Sequence, residues 1–258
     1  ALEISQLQEY KTFRDLGKGA ITPAGYKKIQ VHMVFDIKHD GRHKSRMVAG
    51  GHLTDVPVES VYSGVVSLRS LRMVVFLAEL NGLELWGAYI GNAYLEAKTK
   101  EKVYIVGGVE FGEELEGHTL IIDKALYGLK SSGLRWHDKL FDILRELGFE
   151  VSKADNDVWM CRNGECYEYI AVYVDNLCLA MKDPQDFLDK LTKTYGFKLK
   201  GVGPLEFHLG TSYGRDPDGT LYASAQRYIE KMTDSFGNMF PGEKLNTKLK
   251  SAIPKNDH

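Results

Sequence analysis

A single carboxylate, Asp175, stands between two apolar runs in Ile170-Ala171-Val172-Tyr173-Val174-Asp175-Asn176-Leu177-Cys178-Leu179. At a hairpin tip an Asp can offer oxygens to a hard cation such as Mg²⁺, although Asp is also common there as a turn residue. A second set of capable side chains is basic. Lys44 and Arg46 follow a hairpin-like stretch, and both types suit phosphate, Arg as a planar fork and Lys as a point charge. As plain strand-end charges they would only face solvent. The 8 histidines are scattered and form no ligand set. Cys161, Cys166 and Cys178 contain no Cys-x-x-Cys pair, which argues against a disulfide framework or a structural zinc. The expectation is a reducing, intracellular compartment, cytoplasmic or nuclear.

The elements that must position these groups follow from periodicity. Lys27 to Gly50 reads as two strands around Asp40-Gly41, a dipeptide that tolerates a tight turn, with Val31, Met33, Phe35 and Ile37 alternating before it. Ser67 to Asn81 has helical spacing, a Ser cap and a Gly82 stop. Leu83 to Ala88 reads as a strand, Gly91 to Glu96 as a turn into a short helix, and Val103 to Val106 as a short strand. Ser131 to Leu147 is an amphipathic helix ending at Gly148. A strand meander fills Asp157 to Ala180, turning at Asn163-Gly164 and again at Val174-Asp175-Asn176. Pro184 to Tyr195 returns to helix, Leu205 to Tyr213 and Thr220 to Ser224 read as strands, and Arg227 to Phe240 as a last helix. Antiparallel strands with packing helices and no regular β-α-β alternation make an α+β protein.

With 258 residues, 43% of them hydrophobic, the chain can bury a sizeable core, as one domain or two closely packed subdomains. The formal charge of -2 exerts no global pull toward nucleic acid or an anionic membrane. Residues 1–50 nevertheless hold 9 Lys and Arg against 5 acids, which makes the N-terminal part the expected polyanion face. No apolar run reaches the 18 or so residues of a membrane span. The first residue, Ala1, and the ending Ile253-Pro254-Lys255-Asn256-Asp257-His258 suggest a piece of something longer.

Eight blocks occur in one order: Lys44-Ser45-Arg46-Met47-Val48-Ala49-Gly50-Gly51-His52, Glu59-Ser60-Val61-Tyr62-Ser63, Gly91-Asn92-Ala93-Tyr94-Leu95, Ala125-Leu126-Tyr127-Gly128-Leu129-Lys130-Ser131-Ser132, Trp136, Gly148-Phe149, Tyr173-Val174-Asp175 and Glu206-Phe207-His208-Leu209-Gly210. Together they resemble the reverse transcriptase domain of Ty1/copia-class retrotransposons. The resemblance implies a right-hand fold of fingers and palm, with an antiparallel palm sheet packed on helices. It assigns residues 1–82 to a fingers-like part, 83–224 to the palm and 225–258 to the start of a thumb.

The same resemblance implies three metal-binding aspartates and Mg²⁺. Here Tyr89 stands where the first palm strand ends in Asp, and Asn176 replaces the second Asp of a Tyr-Val-Asp-Asp turn, so Asp175 alone remains. Two-metal nucleotidyl transfer needs several converging carboxylates, and Glu84, Glu96 and Asp123 do not fall at suitable places. Mg²⁺ binding is therefore expected to be weak or absent. Nucleotide or nucleic-acid contacts are implied for Lys44, Arg46, Asn92, Tyr127, Gly128 and Lys130. Asn92 is expected to cap the short helix, and Trp136 to lie in the core. The reading is a polymerase-inactive reverse transcriptase-like domain whose partners are an RNA/DNA template-primer and proteins of a larger assembly. An active polymerase, told apart by primer extension, and a domesticated binding or structural subunit, told apart by a co-purifying partner, stand as alternatives.

Overall fold

The computed structural model describes residues 2–37, 41, 43–54 and 61–242. The turn residue Asp40, the Glu59-Ser60 pair and residues 243–258 lie outside them. Contacts divide the chain into two compact units, Ala1–Pro204 and Leu205–His258.

The first unit opens with α1 (Leu2–Glu9), β1 (Phe13–Lys18), β2 (Lys27–Lys28), β3 (Val31–Ile37) and β4 (His43–Ala49). β3 and β4 pair antiparallel from Val31↔Ala49 to Ile37↔His43, the hairpin that alternation predicts. Its base is anchored by fully buried Met47, while Phe35 and Ile37 at the far end stay 77% and 63% exposed. α2 (Leu68–Leu80) starts where the Ser67 hydroxyl accepts the Ser70 N–H at 3.1 Å and stops at Gly82, whose φ is +60. Its inner face buries Leu71, Val74, Val75 and Ala78.

Then follow β5 (Glu84–Ile90), α3 (Ala93–Glu96), β6 (Val103–Val106), β7 (His118–Ile122), α4 (Ser132–Glu146), β8 (Glu150–Val151), β9 (Val158–Asn163), β10 (Cys166–Tyr173), β11 (Asn176–Met181), α5 (Pro184–Lys193) and β12 (Leu199–Pro204). Six of these strands form one antiparallel sheet in the order β12-β5-β11-β10-β9-β8. Ile170, Val172, Leu177 and Leu179 share a face of it and pack with Trp136, Leu140 and Leu144 of α4 and Phe187, Leu188 and Leu191 of α5. A second sheet, β1-β7-β6-β2, builds a separate core in which Ile105, Leu120 and Ile122 meet Leu7 of α1 and Met47 of the hairpin.

Two expectations need correction. The residues predicted as one strand, Leu205 to Tyr213, are instead β13 (Phe207–His208) and β14 (Thr211–Arg215), paired as a hairpin. Leu209 and Gly210 adopt φ of +48 and +82, and two successive positive φ values reverse the chain as a two-residue primed turn does. Asn92 has φ +52 and gives α3 no side-chain cap; beside it the Tyr10 hydroxyl donates to the Gly91 carbonyl at 3.4 Å. The second unit is completed by β15 (Leu221–Ser224), paired with β14, and α6 (Gln226–Met239). Cys161, Cys166 and Cys178 are free thiols. No helix among the described residues is long and apolar enough to cross a membrane.

His208 is buried with no hydrogen-bond partner for Nε2 among the described residues, and burial pulls its pKa down to about 4. The unfolded chain therefore binds a proton near pH 6.5 that the folded one refuses. Stability is fully present above pH 6.5 and is lost as pH falls toward 4, by about 2 kcal/mol at pH 5. Urea unfolding at pH 7 and pH 5 should show this loss in the parent and not in His208→Gln.

Candidate functional site

Strand register brings the three expected positions together. Tyr89 of β5 pairs with Asn176 of β11, and Tyr173 pairs with the same Asn176 across the hairpin, leaving Val174 and Asp175 as the turn. Val174 has φ +56, a region that β-branched residues avoid at a cost of order 1–3 kcal/mol. The turn is held from both sides. The indole N–H of Trp136 donates to the Val174 carbonyl at 2.7 Å, and the Ile90 N–H donates to the Asp175 carbonyl at 2.8 Å. Trp136 is in the core, 1% exposed, and also pins the turn.

The Asp175 carboxylate accepts from Asn176 Nδ2 at 3.0 Å. Burial raises the Asp175 pKa, while the nearby Tyr89 phenol and the charges of Arg46 and Lys44 pull it back. Burial and the Asp175 charge push the Tyr89 phenol up, so it stays protonated. Mg²⁺ demands hard, charged oxygens in near-octahedral array. Position 89 instead presents a neutral phenol and position 176 a carboxamide, and the carboxamide spends a donor on the one remaining carboxylate. These residues do not fit a pair of cations.

Other acids do not replace them. Glu84 pairs with Met181 at the opposite end of β5. Glu96 faces Lys139 at 3.4 Å, and Asp123 holds Arg14 at 2.9 Å. Among the described residues no three His, Cys, Asp or Glu converge as a metal site.

Beside the turn lies a cleft of about 1260 Å³. Its walls include Phe35, Lys44 and Arg46 of the β3-β4 hairpin, Tyr89, Tyr127 and, from β12, Lys200. The Arg46 guanidinium sits 5.0 Å from the Tyr127 ring centroid, and that ring packs 5.0 Å from Tyr94. Tyr127 is fixed because its carbonyl accepts the Ala49 N–H at 2.6 Å. This approach requires glycine: at Gly128, φ +92, a Cβ would lie 2.1 Å from the Ala49 oxygen, and at Gly51 it would lie 2.0 Å from the Gly128 oxygen.

Of the residues singled out in the sequence, Lys44, Arg46, Tyr89, Asn92 and Tyr127 line the cleft, and Asp175 and Asn176 adjoin it through the pairing of Asn176 with Tyr89. Gly128 and Lys130 do not line it. Gly128 seats the hairpin, and Lys130 Nζ donates to the Thr54 carbonyl at 2.6 Å. Lys200, and Glu3 and Gln6 of α1, also line the cleft; no local pattern points to them, because they arrive through pairings distant in sequence.

Antiparallel sheet, turn and basic cleft stand in a chain whose residues 18–244 match the sequence profile of reverse transcriptase (RNA-dependent DNA polymerase), and the chain belongs to that family. Within it the likeness is to copia-type retrotransposons. The chain is 26% identical over 96% of its length to the Retrovirus-related Pol polyprotein from transposon TNT 1-94 of Nicotiana tabacum, covering 19% of that polyprotein. It is 29% identical over 73% of its length to the corresponding polyprotein from transposon RE1 of Arabidopsis thaliana, covering 13%. It is 28% identical over 78% of its length to the Transposon Ty1-BL Gag-Pol polyprotein of Saccharomyces cerevisiae, covering 12%. The chain thus spans less than a fifth of the length of each of these relatives.

Proposed function

We propose that this chain is the reverse transcriptase domain of a copia-type Pol polyprotein in which polymerase chemistry is lost and contact with an RNA/DNA template-primer is retained. The observation that carries the loss is the turn itself, where Tyr89 and Asn176 stand as cross-strand partners beside Asp175 and the Asn176 amide donates to its carboxylate. A right-hand arrangement is the accompanying reading. The β3-β4 hairpin belongs to fingers within residues 1–82, the six-stranded sheet forms the palm, and the thumb begins near residue 225. Primer extension by the unmodified chain on an RNA template, with Mg²⁺ or Mn²⁺, should stay at background. Robust extension would overturn the reading.

Retained binding would rest on phosphate contacts from Lys44 and Arg46, which the hairpin carries into the cleft wall. Such contacts release counterions, so affinity for an RNA/DNA hybrid should fall steeply between roughly 50 and 200 mM salt. Lys44→Ala combined with Arg46→Ala should lower the log-log salt slope by about 1–2 with little change in base preference. Fluorescence anisotropy across a salt series reads both quantities, and a flat salt response would contradict the proposal.

A further inference from the structure

We propose that Lys98, Lys124 and Lys139 form a second anion site, distinct from the cleft, that receives the phosphoryl oxygens of a polyanion. None of the three lines the cleft. Lys98 and Lys124 face each other across an isolated antiparallel bridge. The flanking hydrogen bonds run from Thr99 N–H to the Asp123 carbonyl at 3.1 Å and from Ala125 N–H to the Ala97 carbonyl at 3.0 Å. That pattern makes 98 and 124 a non-hydrogen-bonded pair, the kind in which opposed side chains stand closest. Like charges directly opposite each other destabilise a ladder, yet both positions carry ammonium groups.

A third ammonium reaches the same place from α4. Lys139 Nζ donates to the Glu96 carbonyl at 2.8 Å and approaches its carboxylate at 3.4 Å, lying 5.2 Å from the Phe197 ring centroid. Lys139, Lys98 and Glu96 all act electrostatically on Lys124. Glu96 is the one carboxylate in that set; Asp123 is turned to Arg14 at 2.9 and 3.1 Å, and Glu101 is turned to the Ser131 N–H and hydroxyl. Burial first, and then the Lys139 charge, depress the Lys124 pKa, against the pull of Glu96, as happens to a part-buried ammonium beside a like charge. Three cations set against one carboxylate leave an excess that matches a dianionic phosphoryl group or two adjacent phosphodiesters. A nucleic-acid backbone and a free oligophosphate share that chemistry.

The test uses the full chain, calorimetric titration with inorganic tripolyphosphate, and competition by a short oligothymidylate. Lys98→Gln with Lys124→Gln should weaken tripolyphosphate binding about tenfold or more. Without ligand, this variant should melt no lower than the parent because a like-charge pair is gone. Lys98→Glu, at an exposed position, should abolish binding with the fold intact, and Lys98→Arg with Lys124→Arg should retain it. Competition by the oligothymidylate would identify a nucleic-acid backbone as the source, and its failure to compete would identify a free oligophosphate. Binding unchanged in the Lys98→Gln, Lys124→Gln variant, or lost in Lys44→Ala with Arg46→Ala, would overturn the proposal.

Discussion

Nucleotide incorporation should appear, at least about a hundredfold above the parent, when Tyr89→Asp and Asn176→Asp are made together, and stay near background with either change alone. The register explains the requirement for both. Residues 89 and 176 are direct cross-strand partners, and Asp175 sits at the turn immediately before 176, so three carboxylates in the double variant would converge at one end of two adjacent strands. With only Asn176→Asp, the neutral Tyr89 phenol still occupies the cleft wall where a carboxylate is needed. With only Tyr89→Asp, the Asn176 amide still holds the Asp175 carboxylate. Groups that act as one unit are strongly non-additive, so the two single variants are the informative controls. Primer extension on the parent, both singles and the double decides the matter; a double variant as silent as the parent would place the defect beyond these two positions.

The largest loss of stability is expected at Gly128. Gly128→Ala places a Cβ 2.1 Å from the Ala49 carbonyl oxygen in a backbone at φ +92, combining a backbone clash with a conformation that L residues rarely adopt. The expected penalty is about 3–5 kcal/mol, among the largest that single substitutions produce. Gly51→Ala meets the same crossing from the other side, 2.0 Å from the Gly128 oxygen, so the double variant should lose less than the sum of the singles. Gly133→Ala should have the opposite sign. Its nearest neighbour, Ser63 Cβ, is 3.4 Å away and the residue lies inside α4, where alanine gains up to about 1 kcal/mol over glycine. Urea unfolding of the four variants measures all of this, and equal effects at 128 and 133 would refute the close-approach account.

Elements with a strong period were legible in the sequence. α2 falls where apolar spacing, a Ser cap and a stop glycine place it, and α4 where amphipathic spacing and Gly148 place it; the β9-β10-β11 meander follows the turn signals at Asn163-Gly164 and Val174-Asp175. Elements without such signals were not. α1 is short, β1 reads Phe-Arg-Asp-Leu-Gly-Lys, and β12 contains two glycines and a proline; these form because partners distant in sequence accept them. The split of residues 205–213 was missed because Leu209 is an unusual residue for a positive φ. At the site, the juxtaposition of 89, 175 and 176 could be anticipated from the resemblance. The hydrogen bonds that tie Asp175 to its neighbours, the Trp136 pin and the arrival of Lys200 all depend on tertiary geometry that no local pattern encodes.

The strained turn at Val174 also bears on the history of the site. A backbone held at φ +56, its carbonyl bonded to a buried indole, carries a cost that Asn or Gly at this position would relieve. If a working site is what holds the strain in place, relatives with carboxylates at positions 89 and 176 should keep a strained residue at 174, and relatives without them should drift to Asn or Gly. Reading position 174 beside positions 89 and 176 across such relatives tests that expectation.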